Sequence, residues 1–171
     1  MKAIKTMLLG LALLLSGQVS AQTDENAVAK VGETVPAFSV QLTDGSSVNI
    51  NDLRGKVVLI NFWATWCPYC LVELKRVPQD IVEQFAGTDL VFIAISREES
   101  METIVKFRRD TGYTFPMGID PDRSIYSKFA LNSIPRNYLV NKEGVIVAAE
   151  VGYTPASFDE LIAKIKEELA K

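Results

Sequence analysis

The chain has 171 residues, 48% apolar and 23% charged, a composition that excludes disorder and any collagen-like or Pro/Gly-biased architecture. Its 18 basic residues stand against 21 acidic ones, a net charge of -3 without basic runs, so the clustered Lys and Arg that grip nucleic acid are missing. There is no histidine, which removes Ser-His-Asp and Cys-His catalysis and most zinc sites. Two cysteines remain as the reactive groups, three positions apart.

Residues 1–21 read as a secretory leader. Met1 to Lys5 is a short basic start, Met7 to Leu15 an apolar run, and Val19-Ser20-Ala21 supplies small residues for cleavage. The apolar run is about half of the roughly 20 residues a spanning helix needs, so a cut after Ala21 is expected rather than a retained anchor. No cysteine follows the run to accept a lipid. The expectation is an exported, periplasmic-type protein without stable membrane insertion once the leader is gone, in a compartment that oxidises thiols. Loss of Lys2 and Lys5 with the leader leaves 16 basic residues against 21 acidic, a net charge of -5.

Residues 22–32 are polar without a clear period and read as a flexible tail before one domain, 33–171. Ala37 to Leu42 alternates, Asp44-Gly45 turns, and Val48 to Ile50 returns, a β-hairpin. Val57 to Trp63 and Leu90 to Ile95 are near-continuous apolar runs, as in strands buried on both faces. Pro68 to Phe85 between them has helical spacing, and Ser100 to Asp110 predicts a second helix ended by Gly112. A short strand near Phe115 to Ile119 and a helix near Arg123 to Ala130 follow. Arg136 to Val140 and Val145 to Val151 flank Asn141-Lys142-Glu143-Gly144, a second hairpin. Ser157-Phe158-Asp159-Glu160 reads as a capping box for a last helix, whose apolar stripe is Phe158, Leu161, Ile162, Ile165 and Leu169. Strands alternating with helices predict an α/β domain with a mixed sheet.

Trp66-Cys67-Pro68-Tyr69-Cys70 follows a buried strand and opens a helix. A helix N-terminus carries partial positive charge and unpaired N–H groups that favour thiolate over thiol. Pro68 suits the first turn, where its missing N–H costs nothing. One turn brings Cys70 close enough to Cys67 to close a reducible disulfide. As a mere staple so short a loop would contribute only about 2 kcal/mol, against about 4.7 for a 100-residue loop. Two thiolates alone cannot complete a tetrahedral zinc site. Thiol-disulfide exchange is therefore the preferred reading, with no cofactor. A copper(I) carrier and a redox-inert adaptor stay as alternatives.

The segment Val57 to Cys70 resembles the active-site segment of thioredoxin-fold proteins, and the wider pattern resembles the exported TlpA/ResA-like thiol-disulfide oxidoreductases. That pattern includes the first hairpin with Leu53-Arg54-Gly55-Lys56 behind it and a helix and strand inserted before Arg123. It also includes Ser133-Ile134-Pro135 ahead of Tyr138-Leu139-Val140 and Lys142-Glu143-Gly144, so that it runs from about Gly32 to Glu168. Peroxiredoxins share the fold but resemble a Pro-x-x-x-Thr-x-x-Cys pattern; Ile60 and Ala64 occupy the first two of those positions here. The resemblance implies a thioredoxin fold in which a mixed central sheet, flanked by helices, carries an N-terminal β-hairpin and a helix-strand insertion. Cys67 then attacks and Cys70 resolves.

It also implies a cis Ile134–Pro135 bond facing the cysteines, with the backbone before the proline binding extended substrate. Trp66, Pro68, Tyr69, Ile134, Pro135 and Arg136 are the expected substrate-binding residues, Trp66 as an exposed platform and Trp63 as core. Arg136, where the family commonly has a small hydroxyl residue, is read as lending charge to a thiolate or to an acidic substrate. Asn61 replaces the buried aspartate of thioredoxin, and an amide cannot take a proton. Glu73, three residues after Cys70 and so on the same helix face, is the expected proton acceptor, raised by burial toward the working pH. The family's helix proline is replaced by Lys75, with Pro78 expected to move the kink. Expected partners are protein disulfides or dithiols, with a membrane thiol reductant as a further candidate. The chain is read as a monomer.

Overall fold

The computed structural model describes residues 24–171. The expected leader, residues 1–21, lies outside the described residues. Among those described, no helix is long and apolar enough to cross a membrane.

The first hairpin forms as β1 (Ser39–Leu42) and β2 (Ser47–Asn49). The two apolar runs become β3 (Val57–Trp63) and β4 (Leu90–Arg97), which pair in parallel. Every side chain of β3 is buried. Alternation along β3 divides two cores. Val57, Leu59 and Trp63 face one with Leu74, Ile104, Phe158 and Ile165, while Val58, Ile60 and Phe62 face another with Phe38, Val40, Tyr126, Phe129 and Tyr138. In the second, the Phe62 ring meets Tyr126 edge-on at 5.2 Å and Phe129 at 5.0 Å.

The inserted helix α2 (Met101–Thr111) is capped by Ser100, which accepts from the Thr103 N–H, and ends on Gly112 at φ 72°. The inserted strand β5 (Met117–Asp120) runs parallel to β4, and β1 pairs antiparallel with its far edge. The hairpin and the insertion are thus one lateral extension of the sheet. On the other side β6 (Arg136–Val140) pairs antiparallel with β3, and β7 (Ile146–Val151) with β6. The strand order is β2-β1-β5-β4-β3-β6-β7, a mixed seven-stranded sheet.

Four sequence expectations are revised. The helix after the cysteines stops early: α1 spans Pro68–Leu74, and a wider π-type turn covers Pro78–Glu83. Pro78 has no N–H for the Leu74 carbonyl, so the α ladder cannot pass that point. The helix expected over 123–130 shrinks to a 3-10 turn at Tyr126–Lys128. Arg123 is left-handed at φ 62°, and the Asp120 carboxylate takes the N–H groups of Ile125 and Tyr126 at 3.0 and 2.7 Å. The last helix, α3 (Pro155–Leu169), starts before its expected box: Thr154 is the cap and exchanges hydrogen bonds with Ser157, with Pro155 at the first position. Its stripe is as expected, Leu169 being only partly buried. Residues 24–32, expected as a tail, lie along the domain. Val28 and Ala29 donate to the Phe129 carbonyl, Ala27 bridges Ala130, and Ala29 is buried.

Gly118 marks where the extension closes on the sheet. A Cβ there would lie 2.4 Å from Val40 Cγ2. Gly118→Ala is expected to destabilise the domain by about 1–3 kcal/mol through overpacking, read from urea unfolding. An unchanged midpoint would show that β1 is not held against β5.

Candidate active site

Strand β3 delivers its last residues to the edge of the sheet, and four residues later Cys67 caps α1. Cys67 is extended at φ -96° and ψ 105°, with Pro68 at the first helical position. Its Sγ accepts from the Cys70 N–H at 3.2 Å, so a group at this position meets the helix's unpaired donors directly. Cys67 and Cys70 are joined in a disulfide. Cys67 is 5% exposed and Cys70 fully buried, so an incoming sulfur reaches the first before the second.

The loop ahead of β6 faces this pair. The Ile134–Pro135 bond is cis, and the Ile134 carbonyl lies 3.8 Å from Cys67 Sγ. The Pro135 carbonyl is taken by the Gly152 N–H and the Ser133 carbonyl by the Tyr126 hydroxyl at 2.6 Å. Among the described residues the Ile134 carbonyl receives no backbone N–H. Tyr69, Ile134, Pro135, Val151 and Tyr153 line a groove of about 410 Å³ beside the disulfide. Tyr69 and Trp66 are 68% and 56% exposed, whereas Trp63 is buried, as read from sequence. The site therefore has apolar walls and one open carbonyl.

Behind the disulfide lies a buried polar triad. Glu73 projects from α1 onto Asn61 of β3 and Asn137 of β6, which sit opposite each other in the ladder. Asn61 Nδ2 donates to Glu73 Oε1 at 2.6 Å and to Asn137 Oδ1 at 2.9 Å, and Asn137 Nδ2 donates to Glu73 Oε1 at 2.9 Å. Glu73 is 1% exposed. Burial outweighs these two hydrogen bonds and lifts its carboxyl from the ordinary 4.5 to about 7. Its Oε2 has no partner among the described residues, leaving one oxygen free to hold a proton.

Arg136 departs from expectation. Its neighbours in the strand, Asn137 and Leu139, face the cysteine side, so Arg136 faces the other core, where it is fully buried. None of its hydrogen bonds reaches the disulfide. Its Nη2 donates to the Asn132 carbonyl at 3.0 Å, and its charge pairs with Asp24.

Sequence reasoning passed over Asn137 and Glu99. Glu99, 9% exposed, accepts from the Thr65 N–H at 2.9 Å and Ser96 Oγ at 2.5 Å, and also from the Thr65 hydroxyl. It thereby fixes the turn into Trp66 and Cys67. The signal was its place just past a buried parallel strand, where sites of open α/β sheets gather. Arg97 backs the Trp66 platform, its guanidinium 5.6 Å from that ring and 4.9 Å from the Tyr126 ring. Among the described residues no cluster of three or more His, Cys, Asp or Glu side chains forms a metal site.

The profile of the AhpC/TSA family matches residues 31–149. The chain is 30% identical over 121 residues to the thiol-disulfide oxidoreductase ResA of Bacillus subtilis, covering 71% of this chain and 67% of that one. ResA of Geobacillus thermodenitrificans is 29% identical over 146 residues, covering 85% and 83%. Among solved structures, a candidate protein disulfide isomerase from Bacteroides thetaiotaomicron superposes with a TM-score of 0.81 at 37% identity, covering 85% of this chain and 94% of that one. The exposed lipoprotein thioredoxin of Streptococcus pneumoniae superposes at 0.64 with 26% identity, covering 77% and 99%.

The raised carboxyl has a consequence for stability. Below pH 4.5 Glu73 is protonated in folded and unfolded chains alike; between 4.5 and about 7 only the unfolded chain releases the proton, so stability falls as pH rises through that window. The difference is on the order of 3 kcal/mol above it. Glu73→Gln, in the disulfide form, is expected to abolish this fall and to exceed wild type in urea midpoint at pH 8. Parallel midpoint curves for the two proteins from pH 4 to 8 would count against a buried, proton-holding carboxyl.

Proposed function

Because the chain belongs to the AhpC/TSA family of the thioredoxin superfamily, as a ResA-like thiol-disulfide oxidoreductase, we propose that it reduces disulfides of exported polypeptides through the Cys67–Cys70 couple. The observation that carries the reading is a disulfide at a helix N-terminus, with an open backbone carbonyl in front of it and a proton-holding carboxyl behind. Cys67 thiolate, favoured by the helix donors, attacks one sulfur of a substrate disulfide. That S–S bond breaks, a mixed disulfide forms, and the departing substrate thiolate takes a proton from solvent. Cys70 then loses its proton to the Glu73 carboxylate and attacks Cys67 Sγ, releasing the second substrate sulfur. The substrate gains two electrons, the pair returns to disulfide, and an external dithiol must reduce it again. A membrane thiol reductant is the partner that fits an exported protein.

The substrate chain lies in the groove beside Tyr69 and Tyr153, pairing with the Ile134 backbone as an added strand would, with Trp66 flanking it. Export is supported by the basic start, apolar run and small residues of 1–21, and by the exposed location that the Streptococcus relative's name gives for that protein.

Wild type is expected to speed the reduction of insulin by dithiothreitol. Cys67→Ser should abolish this activity, and Cys70→Ser should accumulate a mixed disulfide through Cys67. Trapping through Cys70 in the Cys67→Ser protein would reverse the two roles. Glu73→Gln is expected to slow the resolving step by about 100-fold, the lower end of a general-base contribution, and to flatten its pH profile near 7. A single-turnover rate equal to wild type from pH 5 to 9 would remove Glu73 from the mechanism.

A further inference from the structure

The residue after the cis proline is a buried cation, and its carboxylate partner comes from the far end of the chain. Arg136 has no exposed surface. Its Nη2 donates to the Asn132 carbonyl at 3.0 Å, its Nε to the Ser133 carbonyl at 3.4 Å, and its Nη1 lies 3.4 Å from the Tyr138 hydroxyl. Nη1 also pairs with Asp24, the acid that bonds it among the described residues. Asp24 is fixed in its turn: its Oδ1 accepts from the Asn26 N–H at 3.1 Å and its carbonyl from the Ala27 N–H at 3.0 Å. The strand-like segment that follows pairs with the loop's own base, through Ala27 with Ala130 and the Leu131 N–H to the Asn26 carbonyl at 2.8 Å.

Arg136 therefore ties residues 132 and 133, the two peptide groups ahead of Ile134, to the N-terminal segment. A guanidinium sealed in a core keeps its place only while an acid compensates it. Without Asp24 the charge must turn toward water and release the Asn132 carbonyl, leaving the Ser133 carbonyl to the Tyr126 hydroxyl alone, and the loop ahead of Ile134 then loses part of what orients it toward Cys67. We propose that Asp24 is a positioning residue for the redox site, holding through Arg136 the loop that receives a polypeptide disulfide. The inference rests on the function proposed above. It assigns a task in substrate docking to a segment remote in sequence from both cysteines.

The test compares Asp24→Asn and Asp24→Glu in the full chain. Each is measured with insulin, which must dock, and with a small aromatic disulfide, which needs the two cysteines but not the docking loop. Asp24→Asn is expected to raise KM for insulin about tenfold, the equivalent of one charge-assisted hydrogen bond, with kcat changed less than about twofold. Its rate with the small disulfide and its equilibrium with glutathione should match wild type, and Asp24→Glu should restore KM. Arg136→Met, which removes the buried charge and the two tethers together, should show the same rise in KM. A wild-type KM in Asp24→Asn, or equal losses with both disulfides, would overturn the inference. A wild-type chain that reduced the small disulfide and left insulin untouched would overturn the functional reading itself, and this inference with it.

Discussion

A strand that is covered on both faces cannot leave a polar side chain to water, and β3 is such a strand. Asn61 lies within it, 1% exposed, so its amide must find partners inside the protein. It finds them in Asn137 across the ladder and Glu73 from the helix above. That single requirement joins the middle of the sheet to the helix that bears both cysteines. It fixes which way α1 faces and places a carboxyl behind Cys70, where burial raises that carboxyl's affinity for protons against the pull of the two amides. An aspartate at position 61 would put a second acid against Glu73, whereas the amide donates to Glu73 without competing for its proton.

Much of this was legible in the sequence because it rests on patterns with short reach. Two apolar runs gave the central strands, alternation gave both hairpins, and Ser100 with Gly112 framed α2. The cysteine turn was legible because strand, proline and helix follow one another without a gap. Glu73 could be singled out from its spacing after Cys70, from the absence of histidine, and from the family resemblance. What escaped depended on register or on distant partners. Asn137 is unremarkable until β6 is laid against β3 in the one alignment that sets it opposite Asn61. Arg136 was placed at the cysteines because it follows Pro135, but a strand turns successive side chains to opposite faces, and one residue was enough to send it to the other core.

The shorter errors have local causes. Apolar spacing continued through Pro78, yet a missing N–H outweighs spacing, and the helix stopped at Leu74. The segment 123–130 had helical composition, but Arg123 is left-handed at φ 62° where the helix was to start, and the Asp120 carboxylate caps only the short turn that remains. In α3 both Thr154 and Ser157 can cap. Thr154 does so because Pro155 suits the first helical position, which puts Ser157 in the reciprocal role. Residues 24–32 carry little periodicity because most of their ties are backbone hydrogen bonds, to Phe129 and Leu131, and the side-chain pairing of Asp24 is with Arg136, 112 positions away.

An open sheet presents two rows of unpaired peptide groups, and either row invites a foreign chain to add itself as another strand. Here one border is β2, three residues long with a serine and an asparagine at its ends. At the other border, Gly32 donates to the Ile146 carbonyl, Ile146 donates back to Glu33, and Thr34 bridges Val145, so the start of β7 is already covered. Further along β7 the side chains include Glu150, which is paired with Lys164. Under the proposed function the protein meets partly folded chains, and it must avoid being zipped into them along its flanks. With its borders shortened, covered or charged, the sheet discourages pairing along its flanks, while the Ile134 carbonyl stays open 3.8 Å from Cys67 Sγ.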